Sequence, residues 1–240
     1  MNALIKRFAF IGVVAALLSL GVANSQAQTK NAKKLADATR HAQQAADAFT
    51  EIMNVADKAI PQSLLDKADA IAVFPNVIKA GFIVGGRGGS GVISRRVAGG
   101  WSAPALFHLG GGSIGLQIGA SKTDFVLLFM NEDALSGLLK DKFEIGGEGS
   151  IAAGPVGRAA SASTDAQLKA GILSYSRSRG VFAGLEIKGV VIDPDNDNNL
   201  AVYGKKANDI LSPTQRWKIT DMPAGVRIFP RTLARYSTRK

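Results

Sequence analysis

The chain has 240 residues, 27 of them glycine and none cysteine, with 29 basic against 19 acidic side chains and a net charge of +10. The absence of cysteine excludes a disulfide framework and thiolate chemistry, and with only His41 and His108 to offer imidazole it argues against a zinc or haem centre. The length suffices for one sizeable core, and the basic balance favours anionic surfaces without by itself indicating nucleic acid.

Lys6 and Arg7 precede an apolar run, Phe8–Leu20, and Ser25-Gln26-Ala27 supplies small residues at a cleavage position. That is the three-part pattern of a secretory signal, and the run is shorter than the ~20 residues of a membrane span. The expectation is a leader over residues 1–27, cleavage near Ala27, and a periplasmic or secreted chain. Two basic and no acidic residues leave with the leader, so the mature charge is +8.

Residues 29–59 predict a helix. Leu35, Ala42, Phe49 and Ala56 recur at seven-residue intervals, with Ala38, Ala45, Ile52 and Ala59 between them, an apolar stripe of mostly small residues suited to packing on a domain. Pro61 is expected to stop it. A short helix follows over residues 62–68, and then the period becomes strand-like. Strands are expected at 70–74, 80–85, 91–97, 103–109, 114–120 and 124–130, with glycine-rich turns between them. Asn131 is placed to cap a helix whose apolar face is Ala134, Leu135, Leu138 and Leu139. Further strands are expected at 148–153, 168–176, 181–187 and 190–193, then a polar turn at 193–199 and a helix over 200–211. Residues 212–240 read as a basic extension, lying on the domain or partly disordered. The fold class is α+β: a glycine-rich antiparallel sheet, sandwich or partly closed barrel over residues 69–193, with an N-terminal helix and one inserted helix, in a domain spanning 28–211.

Glycine lets backbones approach closely and curve, so this pattern favours a binding or structural domain over an enzyme. Gly86-Arg87-Gly88-Gly89-Ser90-Gly91 spells the dinucleotide fingerprint, but β-branched residues follow where a helix must start; a flexible hairpin loop is the better reading. Gly111-Gly112-Ser113-Ile114-Gly115 spells a nucleophile elbow, again without its helix, leaving Ser113, His108 and Asp124 as the one hydrolytic assembly worth testing. Asp193, Asp195 and Asp197 alternate like a calcium loop but lack its glycine and glutamate, so a helix-capping turn is expected. Asp141, Glu144 and Glu148 read as solvated turn residues. No cofactor is expected.

The basic residues of the core are Lys79, Arg87, Arg95, Arg96, Arg158, Arg177, Arg179 and Lys188, most beside a glycine or at an expected strand end. On one rim they would hold anionic headgroups, the arginines bidentately.

Several segments in order resemble a known family: Phe74-Pro75 with Lys79-Ala80-Gly81-Phe82; Trp101-Ser102-Ala103-Pro104-Ala105; Gly115-Leu116-Gln117-Ile118-Gly119 with Asp124-Phe125-Val126; Gly154-Pro155-Val156-Gly157-Arg158; Tyr175 through Gly184; and Asn199 with Tyr203-Gly204. Together, over residues 32–207, they resemble the SYLF domain family of Ysc84 type. The resemblance implies a lipid-binding module, actin-associated in eukaryotic members. This chain is similar to exported single-domain bacterial members, a setting in which actin is not an expected partner. The expected function is non-catalytic association with anionic phospholipid or a membrane surface through the eight basic residues above, with apolar insertion by Trp101, Phe107 or Phe182. The alternative is an envelope structural or interaction protein that binds a polysaccharide or a protein partner.

Overall fold

A computed structural model describes residues 2–55, 59–139, 143–145, 150–156, 170–178, 181–184 and 189–237, with side chains described from residue 28 onward except at 80–85, 113–120 and 181–184. Helix α1 (Asn2–Met53) runs without a break through the residues expected to form a leader and ends earlier than Pro61. Its end meets the C-terminal helix, where Asn54 Oδ1 accepts from the Tyr236 hydroxyl. The stripe behaves as a packing face: Ala38, Ala42, Ala45, Phe49 and Ile52 are all buried, whereas Leu35 at its start is exposed. After the short α2 (Gln62–Lys67) comes the sheet.

The expected run of short strands is instead two very long ones, β1 (Ala70–Val97) and β3 (Ala105–Phe129), joined through β2 (Gly100–Trp101). They pair antiparallel from Ala70↔Phe129 to Ile93↔Ala105, with irregularities between Phe74 and Val77 and between Gly81 and Ile83. Gly86–Gly91 is therefore no hairpin loop; it lies in the ladder, opposite Phe107–Gly112. The glycines at 110–112 are likewise inside the ladder, whereas the expected turn after residue 97 is a true one, with Gly99 and Gly100 at positive φ.

This two-stranded ribbon doubles back on itself. The Arg96 amide donates to the Asp69 carbonyl (2.8 Å), and Gly91 and Gly89 lie against Val73–Phe74 and Val77. Both contacts join the two ends of the same strand. The outer edges of the folded ribbon are then extended by the remaining strands. On one side Asp124–Phe129 of β3 pairs with β6 (Ile172–Ser178). On the other, Phe107–Gly111 pairs with β8 (Val190–Pro194), which pairs in turn with β4 (Phe143–Ile145). β7 (Val181–Gly184) is antiparallel to β6, whereas β5 (Ile151–Ala153) is parallel to it, an exception to the all-antiparallel expectation. The result is an eight-stranded, nearly closed barrel-like sheet, the mixed α and β fold that the sequence predicts.

The inserted helix α3 (Glu132–Leu138) starts as expected: Asn131 Oδ1 accepts from the Ala134 amide (2.9 Å), and Ala134, Leu135 and Leu138 are buried. The expected helix over 200–211 is two, α4 (Asn196–Tyr203) and α5 (Ala207–Ile210). Gly204, at φ +64°, separates them, a conformation that glycine adopts freely. Residues 212–237 lie on the domain. Two 3-10 turns lead into α6 (Ile228–Tyr236), which buries Phe229, Pro230, Thr232 and Leu233 and leaves Arg231 and Arg235 outside. Pro230 is tolerated in the first turn because no helical partner exists there for its missing N–H. The rings of Phe49 and Tyr236 meet edge-to-face at 5.9 Å, so α1 and α6 share the core beside the barrel.

Candidate functional site

Three of the eight expected headgroup ligands hold the fold together instead. Arg95 is buried, and its fork spans both oxygens of Glu132 at 3.2 and 2.5 Å while Nη1 also donates to the Leu211 carbonyl. It thereby ties the end of β1 to the start of α3 and the end of α5. Arg96 lies 4.3 Å over the Trp101 ring, a cation–π arrangement. Its nitrogens donate to the Leu65 and Ala68 carbonyls, which α2 leaves open at its C-terminus, and to the Ser237 hydroxyl. Arg177 on β6 grips Asp124 Oδ2 at 2.8 Å and pairs with Glu51 of α1. The other oxygen of Asp124 accepts from the amide of Asn76, the one non-glycine residue at positive φ among those described. One carboxylate thus fixes the β1 irregularity, β6 and, through Arg177, α1.

Two of the apolar candidates are also core. Phe107 is wholly buried and Trp101 is covered by Arg96, so neither is exposed for insertion. Phe182 lies on β7, but its side chain, like Arg158, Arg179 and Lys188, falls outside the described residues, as do Asp141 and Glu148; Glu144 is exposed on β4. That leaves Lys79 and Arg87. Both are half-buried on the folded ribbon, and neither makes an ion pair among the described residues. Arg87 Nε is buried and has no hydrogen-bond partner among the described residues. Sequence reasoning passed over Lys122, which is exposed directly opposite Ile78, itself 49% exposed. The legible signal was the absence of acid: no Asp or Glu occurs between Asp69 and Asp124.

The hydrolytic assembly is not brought together. Ser113 and His108 are five residues apart on β3, about 17 Å along an extended strand, and Asp124 is committed to Arg177 and Asn76. His108 turns to other partners: Ser90 Oγ lies 3.2 Å from its Nδ1, and Asp195 Oδ2 lies 3.3 Å from its Nε2. Asp195 is the N-cap of α4, accepting from the Asn198 amide; the acidic turn is a cap, as expected.

The hydrogen bond to Asp195 raises the pKa of His108 above its ordinary 6.5. Burial would raise that of Asp195, but the bonds from His108 and Asn198 outweigh it and hold it below 3.8. A raised histidine stabilises below pH 6.5, and that contribution is lost as pH climbs through its folded value; a depressed aspartate stabilises above pH 3.8. His41, depressed by burial and by Arg40, works in the opposite direction below pH 6.5. The prediction is that the melting-temperature gap between the native chain and His108→Gln narrows from pH 6 to pH 8. A gap that widens over that range refutes the pairing.

Beside this pair, Asn199 is buried and makes both strand-type bonds to Leu106, accepting from its amide (2.8 Å) and donating to its carbonyl (3.0 Å). The Tyr203 hydroxyl donates to the Pro104 carbonyl. These bonds dock α4 on β3 and account for the Asn199, Tyr203 and Ala103-Pro104 positions among the resembling segments.

Comparison with known proteins agrees with this anatomy. The Ysc84 family model, described as "Las17-binding protein actin regulator", matches residues 110–236, from the glycine stretch of β3 to the end of α6. Protein YSC84 of Saccharomyces cerevisiae is 35% identical over 168 residues, 68% of this chain and 36% of the yeast protein. SH3 domain-containing YSC84-like protein 1 of Xenopus laevis is 36% identical over 170 residues, 68% of this chain and 50% of the frog protein. LAS seventeen-binding protein 3 of Saccharomyces cerevisiae is 37% identical over 153 residues, 62% of this chain and 33% of that protein. The shared region is thus a third to a half of each relative, and the family match takes in both α4 and α6: the chain belongs to the Ysc84, or SYLF-domain, family.

Proposed function

We propose that the chain is a non-catalytic module that associates with anionic phospholipid surfaces through the bend of its folded ribbon. The acid-free stretch between Asp69 and Asp124 carries this reading. Lys79, Arg87 and Lys122 lie along it without ion pairs among the described residues. Val77 abuts Gly89 across the doubled strand, and Lys79 follows the one and Arg87 precedes the other by two residues. Exposed Ile78 next to Lys122 adds an apolar contact. Each cation near an anionic bilayer is worth about 1 kcal/mol, screened by salt.

The leader pattern supports an exported location, in which Las17 and actin, named in the family description, are not expected partners. An envelope polysaccharide or protein partner is the alternative. Co-sedimentation of the purified chain, its mature mass checked for cleavage near Ala27, tests the reading. Binding to phosphatidylglycerol vesicles should fall steeply with salt and by on the order of 100-fold in the triple variant Lys79→Ala, Arg87→Ala, Lys122→Ala. Salt-insensitive binding to phosphatidylcholine vesicles, or an unaffected triple variant, sinks it.

A further inference from the structure

A second feature uses none of the ribbon's cations. Gly204 turns the chain at the end of α4. Beside it lies an open cavity of about 520 Å3, lined among others by Tyr203, Lys205, Arg216, Trp217, Asp221 and Met222. The volume is that of a small-molecule site.

The polar tips of its two aromatic residues are already spent. The Tyr203 hydroxyl donates to the Pro104 carbonyl at 2.8 Å, and the Trp217 indole N–H to the Ile210 carbonyl at 2.9 Å. The rings meet edge-to-face, 6.0 Å between centroids. Burial pushes the Tyr203 phenol well above its ordinary pKa, so it stays neutral. What these side chains have left to offer a ligand is ring surface, and buried Met222 adds a polarizable apolar neighbour. The charges are unbalanced. Lys205 and Arg216 make no ion pair among the described residues. Among the described residues Asp221 is the one carboxylate in the lining, and it is turned to its own loop, accepting from the Lys218 amide (3.4 Å) and the Thr220 hydroxyl (3.3 Å). A fixed aromatic wall edged by two unneutralised cations is complementary to an apolar body that carries an anion. A phosphate suits an arginine fork beside a lysine.

We infer that this cavity takes one molecule of a phosphate-bearing lipid, the phosphate at Lys205 and Arg216 and the first acyl carbons on Trp217 and Tyr203. The inference rests on the reading that the domain meets anionic lipid. It adds to that reading a discrete, stoichiometric site beside the diffuse surface one.

Dihexanoyl phosphatidic acid, held below its aggregation concentration, presents the ligand with no surface. Titrated into the full chain, it should bind saturably at one per chain by calorimetry and shift the tryptophan emission. The shift reports Trp217, because Trp101 is only 5% exposed beneath Arg96. The double variant Lys205→Ala, Arg216→Ala, with its near-ultraviolet dichroism unchanged, should bind about tenfold more weakly or worse. Trp217→Phe, which keeps only part of the ring surface, should weaken calorimetric binding without abolishing it and lose the emission change. Inorganic phosphate giving the same saturable response, dihexanoyl phosphatidylcholine binding equally well, or no saturation at all would each overturn the inference. Vesicle sedimentation run in parallel separates the two readings. One-to-one binding without vesicle binding removes the surface reading alone, and vesicle binding without monomer binding removes the cavity alone.

Discussion

Gly91→Ala is expected to destabilise the chain by about 3 kcal/mol, at the upper end of what overpacking a core costs. A Cβ at this position would stand 2.3 Å from the Val73 carbonyl oxygen and 2.5 Å from Cδ1 of Phe74. Val73 and Phe74 are both fully buried. The first obstacle is backbone, which cannot rotate away as a side-chain end can. The two legs of β1 must therefore separate at the point where the ribbon closes on itself. Gly112→Ala is the matched control, on the partner strand with nothing within 4 Å of the added methyl, and should stay within about 0.5 kcal/mol of the native chain. Urea unfolding of both variants gives the comparison. Equal midpoints for the two would mean that the doubled ribbon is not what closes the barrel.

That closure is also where the sequence and the structure part company. Alternation of apolar residues located six stretches of β1 and β3 but not the residues that join them, and Asn131 located the start of α3, because these are local signals set by side-chain period and a single capping bond. Whether glycines between two alternating stretches make a turn or a bend inside one paired strand is decided by what lies across from them. Gly86–Gly91 faces Phe107–Gly112, a partner that local period does not identify. The same limit governs the arginines. Arg95 finds Glu132 37 residues away, Arg177 finds Asp124 at 53 and Arg96 finds Ser237 at 141. A cation beside a glycine reads as exposed until its partner is placed. Asn199 and Tyr203 stood out only as a resemblance, and their bonds to Leu106 and Pro104 supply the physical reason. The cavity at Trp217 left no trace in sequence because its wall joins α4 to a segment without regular periodicity.

Asp124→Ala tests the most heavily used of these long-range partners and is expected to cost about 3 kcal/mol. The substitution removes two things at once. The Asn76 amide, held at φ +53° in the β1 irregularity, loses its acceptor, and Arg177 loses the inner half of its clamp. The side chain of Asp124 is 12% exposed and that of Arg177 24%, so water restores little of either. Glu51 provides the contrast. It binds the same guanidinium from α1, but its side chain is 54% exposed, and Glu51→Ala should cost under about 1 kcal/mol. Asp124→Asn should fall between, because an amide oxygen can still receive the Asn76 N–H while the charge facing Arg177 is gone. The double variant Asp124→Ala, Arg177→Ala should be less destabilised than the sum of its parts by about 1 kcal/mol or more, since the second change removes the cation that the first leaves stranded. Strictly additive urea midpoints would show that Asp124 matters for the turn at Asn76 alone, and that Arg177 is free to face a ligand after all.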